Sequence, residues 1–149
     1  MLNMRHSGRV VSDLPEALKF YSGILGLEIV KKGRLDRYDT LKLLGIEDCD
    51  LTYVKLAPKN SNCLLELYYF ENEDFRNMYF NKDEDEDQYI TISFEHVSFT
   101  VENIEDIHKN LIENGYLVMS SPSIDETCEF KLFFARDFDG NLVELVEVL

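Results

Sequence analysis

His96-Val-Ser-Phe-Thr-Val-Glu-Asn103 opens the second half of this chain as His6-Ser-Gly-Arg-Val-Val-Ser-Asp13 opens the first. In both, a histidine starts a short strand-like run, and seven residues later comes a side chain suited to capping a helix. Asp13-Leu-Pro-Glu16 has the spacing of a capping box and predicts a helix from about Leu14 to about Ile24. Leu14, Ala17, Leu18, Tyr21 and Leu25 form its apolar stripe, and Gly23 and Gly26 are stop signals. His6 to Val11 precedes the helix as a strand; Leu27 to Lys31, Leu51 to Ala57 and Cys63 to Phe70 follow as strands. The order is β-α-β-β-β.

The second half repeats it. His96 to Val101 is a strand, and Asn103 caps a helix with apolar Ile104, Ile107, Leu111 and Ile112, closed by Gly115. Strands at Tyr116 to Met119, Lys131 to Arg136 and Leu142 to Val148 complete the module, with Asp139-Gly140 as the last turn. Leu142-Val-Glu-Leu145 in the final strand echoes Leu64-Leu-Glu-Leu67 in the first half. The expected organisation is one domain over 1–149: a module at about 1–70, an acidic connector at 71–93 that contains Asp83-Glu-Asp-Glu-Asp87, and a second module at about 94–149.

At 149 residues the chain suits one domain or two small fused modules, and its 45% hydrophobic content is enough for a core. A net charge of −14 repels phosphate backbones and anionic lipid, so neither nucleic acid nor a membrane is expected as a partner. Cys49, Cys63 and Cys128 are odd in number and lack C-x-x-C spacing, which suits reduced packing thiols in a cytoplasm. The first residues lack the apolar core of a signal peptide, and no apolar run is long enough for a membrane helix.

The repeat places one His at the start and one Glu near the end of each module: His6 with Glu66, and His96 with Glu144. Each Glu stands among apolar neighbours, where an ionised carboxylate is costly unless paired or metal-bound. The alternative is that both point to solvent from alternating strands. Their recurrence at equivalent positions favours a shared role.

Together these residues resemble the glyoxalase, or vicinal oxygen chelate, superfamily. The match includes His6, Asp13-Leu14, Ala17-Leu18, Phe20-Tyr21, Leu25-Gly26-Leu27 and Leu65-Glu66-Leu67 in the first half. In the second it includes His96-Val97, Val101, Gly115, Arg136-Asp137, Asp139-Gly140-Asn141 and Val143-Glu144-Leu145. The resemblance implies an α+β fold in which two βαβββ modules form a curved mixed β-sheet half-barrel. It also implies a divalent metal held by His6, Glu66, His96 and Glu144. Nickel or zinc is favoured, with cobalt, manganese and iron also compatible with such ligands. The implied reaction is that of a lyase or isomerase, lactoylglutathione lyase-like or epimerase-like: proton transfer next to a carbonyl through a metal-bound enediolate. Glu144 is the first candidate base and Glu66 the second. The alternatives are an extradiol dioxygenase-like oxidoreductase and a metal-free drug-binding resistance protein of the same fold. The partners implied are a small-molecule substrate and a second copy of the chain in a homodimer.

Some residues qualify the resemblance. Glyoxalase I enzymes use a strand-one Arg to bind glutathione; here Val10 takes that place and Arg9 lies one residue early, on the opposite face of a strand. That disfavours glutathione. Asp39 to Gly45, followed by Leu51 to Leu56, and Tyr68-Tyr69 look closer to the epimerase and uncharacterised glyoxalase-like branches, while Phe138 stands where such chains usually carry Pro, a loop change of little consequence. Phe133, Phe134 and Tyr68 read first as core packing, with a pocket floor as the alternative; Lys131 and Arg136 read first as exposed strand charges, with an anionic substrate contact as the alternative; His108 is a helix boundary residue.

Overall fold

The computed structural model describes residues 6–39, 48–74, 76, 96–125 and 128–149. It divides into two compact units, Met1–Glu84 and Asp85–Leu149, and the division falls inside the stretch expected as the connector. The acidic run Asp83 to Asp87 and most of the Asp39 to Gly45 stretch lie outside the described residues.

In the first unit, β1 (Ser7–Val10) leads to α1 (Leu14–Leu18), followed by β2 (Glu28–Leu35), β3 (Leu51–Ala57) and β4 (Leu65–Phe70). The sheet order is β1-β4-β3-β2, with β1 parallel to β4 and the other pairs antiparallel. Asp13 caps α1 as its spacing predicts: Oδ1 accepts the Glu16 N–H at 2.9 Å. The helix does not stay α-helical to Ile24, because Lys19–Ile24 is a π-helical turn in which the Leu25 N–H reaches the Phe20 carbonyl at 3.1 Å. The adjacent Phe20 and Tyr21 are both wholly buried there, edge to face at 5.0 Å, which a single stripe of period 3.6 does not anticipate.

The second unit has β5 (His96–Thr100), α2 (Ile104–Glu113), β6 (Ser123–Ile124), β7 (Phe130–Arg136) and β8 (Leu142–Val148), ordered β5-β8-β7-β6. The β-α-β-β-β order is thus made twice, as two four-stranded mixed sheets. Two local expectations change. Asn103 occupies the N-cap position of α2 in a left-handed conformation (φ 57°) with no side-chain cap bond; its own N–H donates to Glu147 at 2.7 Å. Tyr116 to Met119 is not a strand but a single bridge, Val118 to Ala135, held by the Arg136 N–H on the Leu117 carbonyl and the Met119 N–H on the Phe134 carbonyl at 2.8 Å each, because the Tyr116 N–H is already taken by the end of α2. Gly115, at φ 80°, does end α2: its N–H bonds the Ile112 carbonyl and that of Tyr116 the Leu111 carbonyl, a Schellman closure.

Each sheet buries one face. Val54, Leu56 and Leu67 are wholly buried in the first unit, and Val143, Leu145, Phe133, Ile104 and Leu111 are at most 1% exposed in the second. Each such side chain contributes on the order of 1.5–3 kcal/mol by leaving water. Cys49 packs with Leu51 and Phe70, whereas Cys63 and Cys128 are exposed, so only the first of the three thiols is a core residue. Among the described residues no helix is long and apolar enough to cross a membrane.

The turn before β8 carries a testable load. Asp137 is 5% exposed, and its carboxylate accepts N–H groups from Asp139 at 3.0 Å, the Asn141 backbone at 2.8 Å and the Asn141 side chain at 2.9 Å. Asp137→Ala strands those donors and is expected to destabilise the chain by on the order of 2 kcal/mol in urea unfolding. A change within ~0.5 kcal/mol would mean that the turn holds without them.

Candidate metal centre and its surroundings

Strand register decides what meets what. In the first unit Gly8 lies beside Glu66 in the parallel β1–β4 pair, so His6, two residues earlier, shares the face of Glu66. His6 Nε2 is 3.3 Å from Glu66 Oε2. The second unit repeats this with Ser98 beside Glu144, and His96 Nε2 is 3.5 Å from Glu144 Oε2. Each histidine is therefore brought to the glutamate of its own module, and neither glutamate side chain points fully to solvent: they are 6% and 21% exposed. Among the described residues no three His, Cys, Asp or Glu side chains gather into a metal-holding group, so the unit seen twice is the pair.

The two pairs differ in their third neighbour. Antiparallel register sets Lys55 of β3 opposite Glu66, and Lys55 Nζ is 3.2 Å from Glu66 Oε2. The equivalent place beside Glu144 holds Phe134 of β7, whose ring meets His96 edge-on at 5.6 Å. Glu66 Oε2 is buried within ion-pair range of His6 and Lys55, yet makes no directed hydrogen bond. Such an acceptor is suited to a cation.

Tyr68 and Tyr53 extend the first face, paired across β4 and β3. Burial first, then the Glu66 charge and a hydrogen bond to it, and last Tyr53, raise the Tyr68 phenol above its ordinary value of 10.0. An acid held protonated in the folded chain gives stability that is fully present below its unfolded pKa and is lost as pH rises through the raised folded value. Metal-free protein is therefore expected to lose stability above pH 10.0 more steeply than Tyr68→Phe does. Urea unfolding across that range is the check; parallel curves would remove Tyr68 as the cause.

Phe134 lies on the His96–Glu144 face, while Phe133 lies in the core against His108, ring centroids 5.1 Å apart. Lys131 points to the helix side and pairs with Glu105 of α2, and Arg136 donates to the Gly140 carbonyl. Lys131 therefore does not sit with the histidine pair. The cations missed in the sequence are Lys55 and Lys31, both near Tyr53. Strand alternation in Leu51 to Ala57 could have put Tyr53 and Lys55 on one face; placing that face against Glu66 needed the register.

Comparison with solved structures shows the same fold in other proteins. A glyoxalase family protein from Bacillus cereus aligns over 100% of this chain and 95% of its own, at 19% identity and a TM-score of 0.80. The trypanothione-dependent glyoxalase I of Leishmania major aligns over 99% of this chain and 87% of its own, at 22% identity and 0.66. A glyoxalase family protein from Enterococcus faecalis aligns over 97% of both chains, at 21% identity and 0.62. No curated protein matches the sequence. The family model of the Glyoxalase/Bleomycin resistance protein/Dioxygenase superfamily matches residues 3–145, nearly the whole chain including both His–Glu pairs, and the chain belongs to that superfamily.

Proposed function

We propose that His6, Glu66, His96 and Glu144 together hold one divalent metal ion, and that the chain is a metal-dependent lyase or isomerase that moves a proton next to a carbonyl. The observation that carries this is the recurrence of a His–Glu contact at the same register position in both modules. The donor set fits the ion: two neutral imidazoles and two carboxylates balance a divalent charge, and Glu66 Oε2 is a buried acceptor without a directed donor. Nickel or zinc suits these ligands, with cobalt, manganese and iron next. When bound, such a metal polarises two adjacent substrate oxygens and makes the neighbouring C–H more acidic.

The chain's own groups divide the remaining work. Glu66, flanked by His6, Lys55 and Tyr68, is anchored and serves as a fixed donor. Glu144 is more exposed and has Phe134 where Glu66 has Lys55, so its carboxylate is freer to leave the donor set and take the proton at Oε2. His6 and His96 supply Nε2 donors. A homodimer in the cytoplasm is the proposed state, since sheets of this kind leave edge strands that need covering.

Metal analysis of untagged protein, beside solvent exchange of the α-proton on a panel of 2-oxo thiohemiacetals and acyl-thioesters, tests the assignment. Near-stoichiometric nickel, zinc or cobalt with exchange supports it. Bound iron would instead favour a dioxygenase, and absence of metal a drug-binding protein. Mixing His6→Ala with His96→Ala protein separates a within-chain site from one shared by two copies: only a shared site regains metal on mixing.

A further inference from the structure

We propose that Lys55 and Lys31, cross-strand partners that each approach the ring of Tyr53, form a seat for a carboxylate carried by the substrate in addition to its metal-facing oxygens. Resting on the metal reading above for the adjoining Glu66, this names the substrate class as a small carboxylic acid with a second oxygen-bearing end. Lys31 Nζ and Lys55 Nζ lie 5.9 and 5.8 Å from the Tyr53 ring centroid. They are cross-strand partners on β2 and β3, and like charges in direct opposition destabilise a sheet.

A backbone irregularity creates that opposition. Ile29 pairs with Leu56, so continuous register would set Val30 opposite Lys55; the extra residue at this point leaves Val30 unpaired and puts Lys31 there instead. Bulges commonly re-aim a side chain next to a site, and here a second ammonium group replaces an aliphatic one. Lys55 has Glu66 beside it, whereas among the described residues Lys31 has no carboxylate partner, so the pair keeps at least one ammonium group for a substrate carboxylate.

The floor beside them is cleared by glycine. A Cβ on Gly33 would come within 2.3 Å of the Tyr53 ring, and one on Gly8 within 2.7 Å of Tyr68. Both rings therefore lie over bare backbone, occupying volume that neighbouring side chains would fill, and they carry the face from Glu66 to the two lysines. Lys131, a candidate from the sequence for contacting an anionic substrate, pairs instead with Glu105.

The probes are 2-oxoglutarate and 2-oxoadipate, each compared with the monoacid of equal chain length, 2-oxopentanoate and 2-oxohexanoate. Dissociation constants are read by ligand-observed NMR on wild type, Lys55→Met and Lys31→Met, with and without zinc. The second carboxylate is expected to tighten binding of at least one diacid about tenfold in wild type. Lys55→Met should bring that ratio near one. Lys31→Met, which alters an exposed side chain and so leaves the fold intact, should lower it several-fold. A wild-type ratio near one, or a ratio that survives both substitutions, would overturn the seat. Protein that takes up no zinc but keeps a lysine-dependent preference overturns the metal reading and supports the seat; zinc uptake without the preference does the reverse.

Discussion

Glu144→Gln is expected to slow exchange of the substrate's α-proton with solvent by roughly 10²–10⁴-fold, the range that a positioned general base contributes. The amide keeps an oxygen that can face a metal but cannot accept the proton, so metal content should fall only in part. The same change at Glu66 should slow exchange less, because Glu66 is held by His6, Lys55 and Tyr68 as a fixed donor. It should cost more in stability, since it leaves the partly buried Lys55 ammonium without its carboxylate. Exchange rates measured beside metal content and urea unfolding separate the two glutamates. Wild-type exchange in Glu144→Gln would remove it as the base; a larger loss in Glu66→Gln would reverse the roles.

His6→Ala and His96→Ala should each lower metal affinity on the order of a hundredfold or more, because a deleted ligand costs at least as much as a lost supporting contact. Folding should survive. The histidine side chains are 34% and 32% exposed, so truncation leaves little cavity, and an expected loss of about 1 kcal/mol or less follows. His96→Ala should sit at the upper end of that range through its edge contact with Phe134. Metal titration of each variant, with unfolding curves beside it, tests both halves of this expectation. Metal binding unchanged in His6→Ala, His96→Ala and both glutamate variants would sink the four-ligand site.

Particular elements show why some features were readable in advance. Leu51–Ala57 and Leu142–Val148 form strands with the bounds expected from the sequence, because turn residues flank the first run on both sides and Asp139-Gly140 opens the second. Gly115 closes α2 because the left-handed conformation at that point suits glycine. The π-helical turn at Lys19–Ile24 was not readable, since local spacing does not report that Phe20 and Tyr21 must both enter the core. At Asn103 a tertiary contact won over local capping: Glu147, 44 residues away, takes its N–H.

By itself the sequence determined the doubled β-α-β-β-β order and the positions of one His and one Glu in each copy, because turn residues, apolar periodicity and repetition are properties of neighbours along the chain. Only the tertiary structure decided that each His meets its own module's Glu, that Lys55 stands beside Glu66 where Phe134 stands beside Glu144, and that Lys31 faces Lys55 rather than Val30 doing so. Those are matters of strand register. A shift of one residue turns every side chain to the other face, and register is set by packing and bulges across strands rather than by the order of residues within one.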